Sequence, residues 1–172
     1  MAELADYGIQ NEQSDIRAHV SVANQKVYVF KTSAGIDAIK ANGYPTRFAS
    51  QPGVDGITAE GWCVPWWHIP DIRPLSFNSW SSWGDFSINL STTRKGQLAV
   101  ECVRKVMEMG RFPFWVQAEE VDDMRLQVQG VDLVVAYNQR IQVKCDWMGG
   151  EEPLGTGNLF LQKAERNPLK RV

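Results

Sequence analysis

Residues 130 to 147, GVDLVVAYNQRIQVKCDW, alternate apolar and polar side chains in two short runs with a turn between them. A β-strand sends successive side chains to opposite faces, so Ile141, Val143 and Cys145 share one face while Gln142, Lys144 and Asp146 share the other. The chain is thereby committed to a sheet with one face covered by apolar packing. Where Asp132 falls against this strand depends on the turn. A two-residue loop at Asn138-Gln139 pairs Tyr137 with Arg140 and puts Asp132 opposite Cys145, on the wrong face. A three-residue loop, Tyr137 to Gln139, pairs Ala136 with Arg140 and sets Asp132 opposite Lys144. An odd-length turn or a bulge is therefore expected.

In that register one face presents a carboxylate, an amide oxygen, an ammonium and a second carboxylate. Oxygen ligands from Asp132, Gln142 and the Val143 carbonyl suit Mg²⁺, with Mn²⁺ as its substitute, because that ion takes oxygen donors and keeps several waters. Lys144 would orient or activate an attacking water and offset developing negative charge, and Glu101 or Asp146 could complete a second metal site. This is equipment for phosphodiester hydrolysis. The plainer alternative is a hairpin whose polar face is solvated, with Lys144 and Asp132 forming an ordinary cross-strand ion pair. Alternation alone leaves both readings open.

The rest of the chain narrows the chemistry. At 172 residues with 44% apolar content, residues 1–172 fit a single domain with a substantial core. No apolar run approaches the roughly 18 residues of a membrane span, and MAELADYGIQ lacks the basic start and apolar stretch of a signal peptide, so no membrane association and an intracellular address are expected. Cys63, Cys102 and Cys145 are odd in number, widely spaced and without nearby histidines, which argues for reduced thiols over a disulfide framework or a zinc site. His19 and His68 lie far apart, which weighs against a histidine metal cage or a Ser-His-Asp arrangement. Catalysis, if present, falls to carboxylates and lysine.

The net charge of −2 argues against coating of nucleic acid by bulk attraction, yet basic residues cluster locally. Lys163, Arg166, Lys170 and Arg171 gather in the final ten residues, and Arg94, Lys95, Arg104, Lys105 and Arg111 surround one helix. Arg94, Lys95, Lys163, Arg166, Lys170 and Arg171 are candidate nucleic-acid contacts; a solvated basic surface is the alternative.

That helix is STTRKGQLAVECVRKVMEMG. Thr92 or Thr93 can cap it, Ala99, Cys102, Val103, Val106 and Met107 form its apolar face, Glu101 borders that face, and Gly110 can end it. Ahead of it, HVSVANQKVYVFKT reads as two strands around a turn, and SAGIDAIKANG as a short helix capped by Ser33. From Tyr44 to Asn89, prolines and glycines exclude one long helix, and CVPWWHI suggests an edge strand broken by Pro65. Five of seven tryptophans fall there, at 62, 66, 67, 80 and 83, suited either to stacking on bases or to capping the sheet or a subunit interface. FPFWVQAEE, RLQVQGVDLVVAY, RIQVKCDW and NLFLQKAER are further strand candidates, the last preceded by the Gly-rich loop GGEEPLGTG.

A helix Glu followed by GVDLVV and IQVK resembles the PD-(D/E)XK nuclease superfamily over roughly residues 92 to 168. The resemblance implies an α/β (α+β) restriction-endonuclease-like mixed central sheet flanked by helices. It implies metal-ligand and catalytic-lysine roles for Asp132 and Lys144, with Glu101 as the helix acid. Gln142 departs from the usual acid, resembles a minority variant, and leaves the metal site one negative charge poorer. VKCDWMGGEEPLGTGNLFLQ is similar to a strand-loop-strand of small phage and bacterial members, in which segments like LADYGIQ, KVYVFKTSAGIDAIK and GVDGITAEGWCVPWWHI follow rather than precede. The order resembles a circular permutation, with residues 1–90 packing as a strand-helix unit and Trp/Pro-rich segment onto a sheet built from 91–172. The expected function is a Mg²⁺-dependent DNA endonuclease like a Holliday-junction resolvase, as a possible homodimer, in the cytoplasm of a bacterial or phage-infected host cell. The alternatives are a non-catalytic nucleic-acid-binding module on the same fold, or a protein-binding domain using its Trp-rich surface.

Overall fold

A computed structural model of the chain describes residues 8–9, 14–49, 58–87, 89–116, 132–135, 139–146 and 158–163. In chain order the elements are β1 (Ile16–Ser21), β2 (Lys26–Lys31), α1 (Thr32–Asn42), β3 (Tyr44–Ala49), β4 (Thr58–Pro65), β5 (Arg73–Ser76), α2 (Thr92–Glu108), β6 (Leu133–Val135), β7 (Gln139–Asp146) and β8 (Asn158–Gln162). They build a mixed α+β structure. Five strands form one sheet in the order β5-β2-β1-β7-β6, and three form another in the order β3-β4-β8. The β1–β7 pair is parallel, while every other pairing is antiparallel.

The two faces of the larger sheet follow from period-two alternation. On one face Ile16, Ala18, Val20, Val27, Val29, Leu133, Val135, Ile141 and Val143 meet the apolar side of α2, formed by Leu98, Ala99, Cys102, Val103, Val106 and Met107. The spacing of those α2 residues matches the helical repeat, which is why one stripe of the helix can be buried whole. Ser91 caps α2, its Oγ accepting from the Arg94 N–H at 3.1 Å, so the cap falls one residue before the two threonines expected to provide it. Gly110, at φ +67°, donates its N–H to the Met107 carbonyl and closes the helix in a conformation that glycine adopts without strain.

Phe77, Trp80, Trp83 and Phe86 belong to the same core. Trp80 stacks on Phe77 with ring centroids 5.9 Å apart and meets Trp83 edge-on at 5.0 Å, while Trp83 Nε1–H donates to the Phe77 carbonyl at 2.6 Å. These aromatics cover the sheet and are not available to stack on bases. Of the other tryptophans of this stretch, Trp67 is 58% exposed and Trp62 and Trp66 are half-buried.

On the opposite face Tyr28 and Phe30 pack with Ala38 and Ile39 of α1, Val64 of β4, and Leu159 and Leu161 of β8. Several expectations are corrected here. β4 is the central strand of its sheet, since Pro65 ends it and a short 3₁₀ turn, Trp66–His68, follows. Ser33 lies inside α1, because the chain passes from β2 directly into the helix with Lys31 at the cap position. Phe112 to Val116 form turns, with Phe112 and Val116 buried against the α2 core, and the remainder of FPFWVQAEE lies outside the described residues. A bridge between Ile9 and Lys163 brings the two ends of the described chain together. No helix among the described residues is long and apolar enough to cross a membrane.

Candidate active site

The β6–β7 register pairs Leu133 with Ile141, Val134 with Arg140 and Val135 with Gln139, leaving residues 136–138 between the strands. This places Asp132 on the rung of Gln142, two residues from the expected position opposite Lys144. The correction has a physical cause. Leu133 and Ile141, both fully buried, then sit directly opposite each other under α2. Asp132 also fastens the strand end: its N–H donates to the Ile141 carbonyl at 3.1 Å, and its Oδ2 accepts from the Val143 N–H at 2.8 Å. An even-numbered slide preserves the face. Asp132, Gln142, Lys144 and Asp146 therefore share one side of the sheet, opposite the α2 core.

β1 extends this polar face. Its parallel pairing sets Arg17 beside Gln142, His19 beside Lys144 and Ser21 beside Asp146. Arg17 is fully buried, and His19 and Gln142 are 3% and 6% exposed. Among the described residues, no hydrogen-bond partner reaches His19 Nε2 or Gln142 Oε1. The polar side of β7 is thus half of a polar floor shared with β1. Arg17 and His19 escaped the reading of the sequence, although IRAHVS carries the same period-two signal as IQVKCD.

Burial and neighbouring charge act together on this floor. His19 is held well below the usual histidine pKa, first by burial and then by the Arg17 and Lys144 charges, so its ring is neutral at pH 7. Burial and Arg17 also lower Lys144, while Asp132 opposes them. Asp132 is raised by burial, a shift that the Val143 N–H and the Lys144 charge oppose. Asp146 is pushed up to about 6 by burial, and its charge is felt by the Tyr28 hydroxyl and the Cys63 thiol.

Glu101 is not brought to this face. Its helix packs through Cys102 and Val103 against the side of the sheet that carries Ile141 and Val143, so the sheet separates α2 from Asp132 and Lys144. Arg94 and Lys95 belong to the α2 layer as well. Arg94 is exposed and bonds Gln97 Oε1 at 3.3 Å, and Lys95 acts on Cys145. Lys163 follows β8 and donates its backbone N–H to the Glu60 carbonyl, in a cleft lined also by Pro45, Thr46, Gly61 and Trp62. Arg166, Lys170 and Arg171 lie outside the described residues.

Among the described residues, no group of three or more His, Cys, Asp and Glu side chains could hold a metal ion. A divalent ion would instead rely on the mixed set of Asp132, Gln142 Oε1 and the Val143 carbonyl. These fit it in kind: all are oxygen donors, and the buried Gln142 oxygen is without a hydrogen-bond partner among the described residues. With one carboxylate among them, such a set binds weakly. No family model, curated protein or solved structure matches the chain.

Proposed function

We propose that the protein is a Mg²⁺-dependent DNA endonuclease that hydrolyses phosphodiester bonds on a restriction-endonuclease-like sheet, with branched DNA of the Holliday-junction type as its substrate. The observation that carries this reading is the common face of Asp132, Gln142 and Lys144, with Asp132 anchored on the Val143 N–H. Asp132, Gln142 and the Val143 carbonyl would hold the metal, which when bound supplies Lewis acidity to the phosphate and acidifies a water. The protein's own groups do the positioning. Lys144, half-buried on the polar floor, is placed to hold the attacking water and to offset charge on the phosphate oxygens as the bridging P–O bond breaks. Pairing of two copies would supply one such site for each of two strands.

A second reading, a non-catalytic DNA-binding module, is favoured by the lone carboxylate and by Gln142 in the place of an acid. Cleavage of branched, duplex and single-stranded DNA with Mg²⁺ or Mn²⁺ separates the two. Cutting that is lost in Asp132→Ala and Lys144→Ala supports the nuclease. Salt-sensitive binding with no cutting by the parent protein supports the module.

A further inference from the structure

Nothing in the β6–β7 site requires a histidine or an arginine, yet β1 lays both beside it. Arg17 and His19 occupy the strand positions next to Gln142 and Lys144, their side chains on the same face by parallel register. Two features set this row apart from ordinary core packing. The first is chemical. Tyr28 and Phe30 bury their rings on the neighbouring strand, so that His19 rests against Phe30 at 5.1 Å, but the next positions across the sheet change to guanidinium, imidazole, amide and ammonium. The second is an incomplete hydrogen-bond set. His19 Nε2 and Gln142 Oε1 are both more than nine-tenths buried, and among the described residues neither has a partner. Buried polar atoms are satisfied in the great majority of cases, so such atoms beside a cationic row point to an outside group that completes them.

The charge of that group follows from its neighbours. Arg17, His19 and Lys144 occupy neighbouring positions on one face of the β1–β7 pair, where the Arg17 and Lys144 charges act on His19. A guanidinium, an ammonium and a neutral imidazole able to donate through Nε2 present donors suited to an oxyanion with several acceptor oxygens. Half-buried Lys144 and Asp132 border the row on its more open side. We propose that β1 supplies the second half of the site, Arg17 and His19 joining Lys144 to bind one phosphate group of a DNA strand. This rests on the phosphodiesterase reading of the polar face and adds to it the residues that seat the phosphate. In this arrangement His19 Nε2–H donates to a phosphate oxygen, Arg17 and Lys144 neutralise the group, and Gln142 keeps its oxygen for the metal side.

The test is made without metal, so that binding is read apart from cutting. The parent protein, Arg17→Gln, Arg17→Lys, His19→Gln and the exposed control Lys40→Gln are titrated in EDTA with a fluorescent duplex oligonucleotide and, separately, with inorganic phosphate. Because the chain has two histidines, ring ¹⁵N signals of His19 are assigned by comparison with His19→Gln. The expected result is a shift of the His19 Nε2 signal on adding oligonucleotide and binding about ten-fold weaker in Arg17→Gln and His19→Gln, with part of the loss recovered in Arg17→Lys. A shift with oligonucleotide and none with free phosphate assigns the phosphate to the DNA backbone; a shift with both assigns the row to phosphate in general. Oligonucleotide binding equal to the parent's in Arg17→Lys and His19→Gln, with an unmoved His19 ring, overturns the inference. If those variants also cut DNA as the parent does, the nuclease reading stands while this one falls. If the parent binds through Arg17 and His19 and never cuts, the reverse holds.

Discussion

The Asp132 carboxylate takes the Val143 N–H at 2.8 Å and so stands in for the strand that β6 no longer provides. The same side chain is asked to hold the β7 backbone and to face the polar floor. These roles separate under substitution. Asp132→Ala leaves a part-buried N–H without its acceptor and is expected to cost about 1–3 kcal/mol by urea unfolding, with loss of cleavage. Asp132→Asn retains an acceptor oxygen; most of the stability should return while cleavage stays lost. Equal stability loss in both variants would show that charge, not the hydrogen bond, secures the strand end.

Gln142→Glu restores a second carboxylate at the metal side. A buried acid beside Asp132 is expected to lower metal-free stability by about 1–3 kcal/mol, and the extra charge to tighten Mg²⁺ or Mn²⁺ binding roughly ten-fold. Calorimetric titration and melting in EDTA against Mg²⁺ read both effects. Unchanged metal affinity would remove Gln142 from the ligand set.

Asp146 is pushed up to about 6 by burial, above its value in the unfolded chain. The native state then binds the proton more tightly than the unfolded state, so its contribution is fully present below pH 3.8 and is lost as pH rises through about 6. Asp146→Asn should therefore stabilise the protein by about 1–3 kcal/mol at pH 8 and leave it nearly unchanged at pH 4. His19 has the opposite sign. Its depressed pKa costs stability as pH falls below 6.5, and His19→Gln should flatten that part of the unfolding profile.

Gly61 pairs with Gln162 in the β4–β8 ladder, and a Cβ placed there would overlap the Leu161 carbonyl and crowd the Phe160 ring. The obstructing atom is backbone, so the strands must part. Gly61→Ala is expected to cost about 1–3 kcal/mol in thermal or urea unfolding, while Gly84→Ala, which meets nothing within 4 Å, should stay near parent stability.

How far the letters alone reach is clear from the particular elements. The α2 face is legible because Ala99, Cys102, Val103, Val106 and Met107 recur at helical spacing, and all five are buried. The faces of β7 are legible for the same local reason. Glu101 shows the limit: helical periodicity tells which side of α2 is buried, but not which side of the sheet receives it. The β6 register seats Leu133 opposite Ile141 and is secured by the Asp132 carboxylate on the Val143 N–H, and that second contact is not encoded in hydrophobic pattern. Arg17 and His19 remained hidden because their meaning depends on the parallel partner of β1. That partner lies over a hundred residues away, and no local pattern names it.

The seam between β1 and β7 joins distant stretches of polypeptide: the Arg140 N–H reaches the Asp15 carboxylate across 125 positions. A short turn joins β1 to β2, but the strand that covers the other edge of β1, β7, is made more than a hundred residues later. An open edge invites pairing with foreign strands, so the nascent chain carries an aggregation hazard that only its late arrival, β7, can quench. Competence and solubility are thus acquired together.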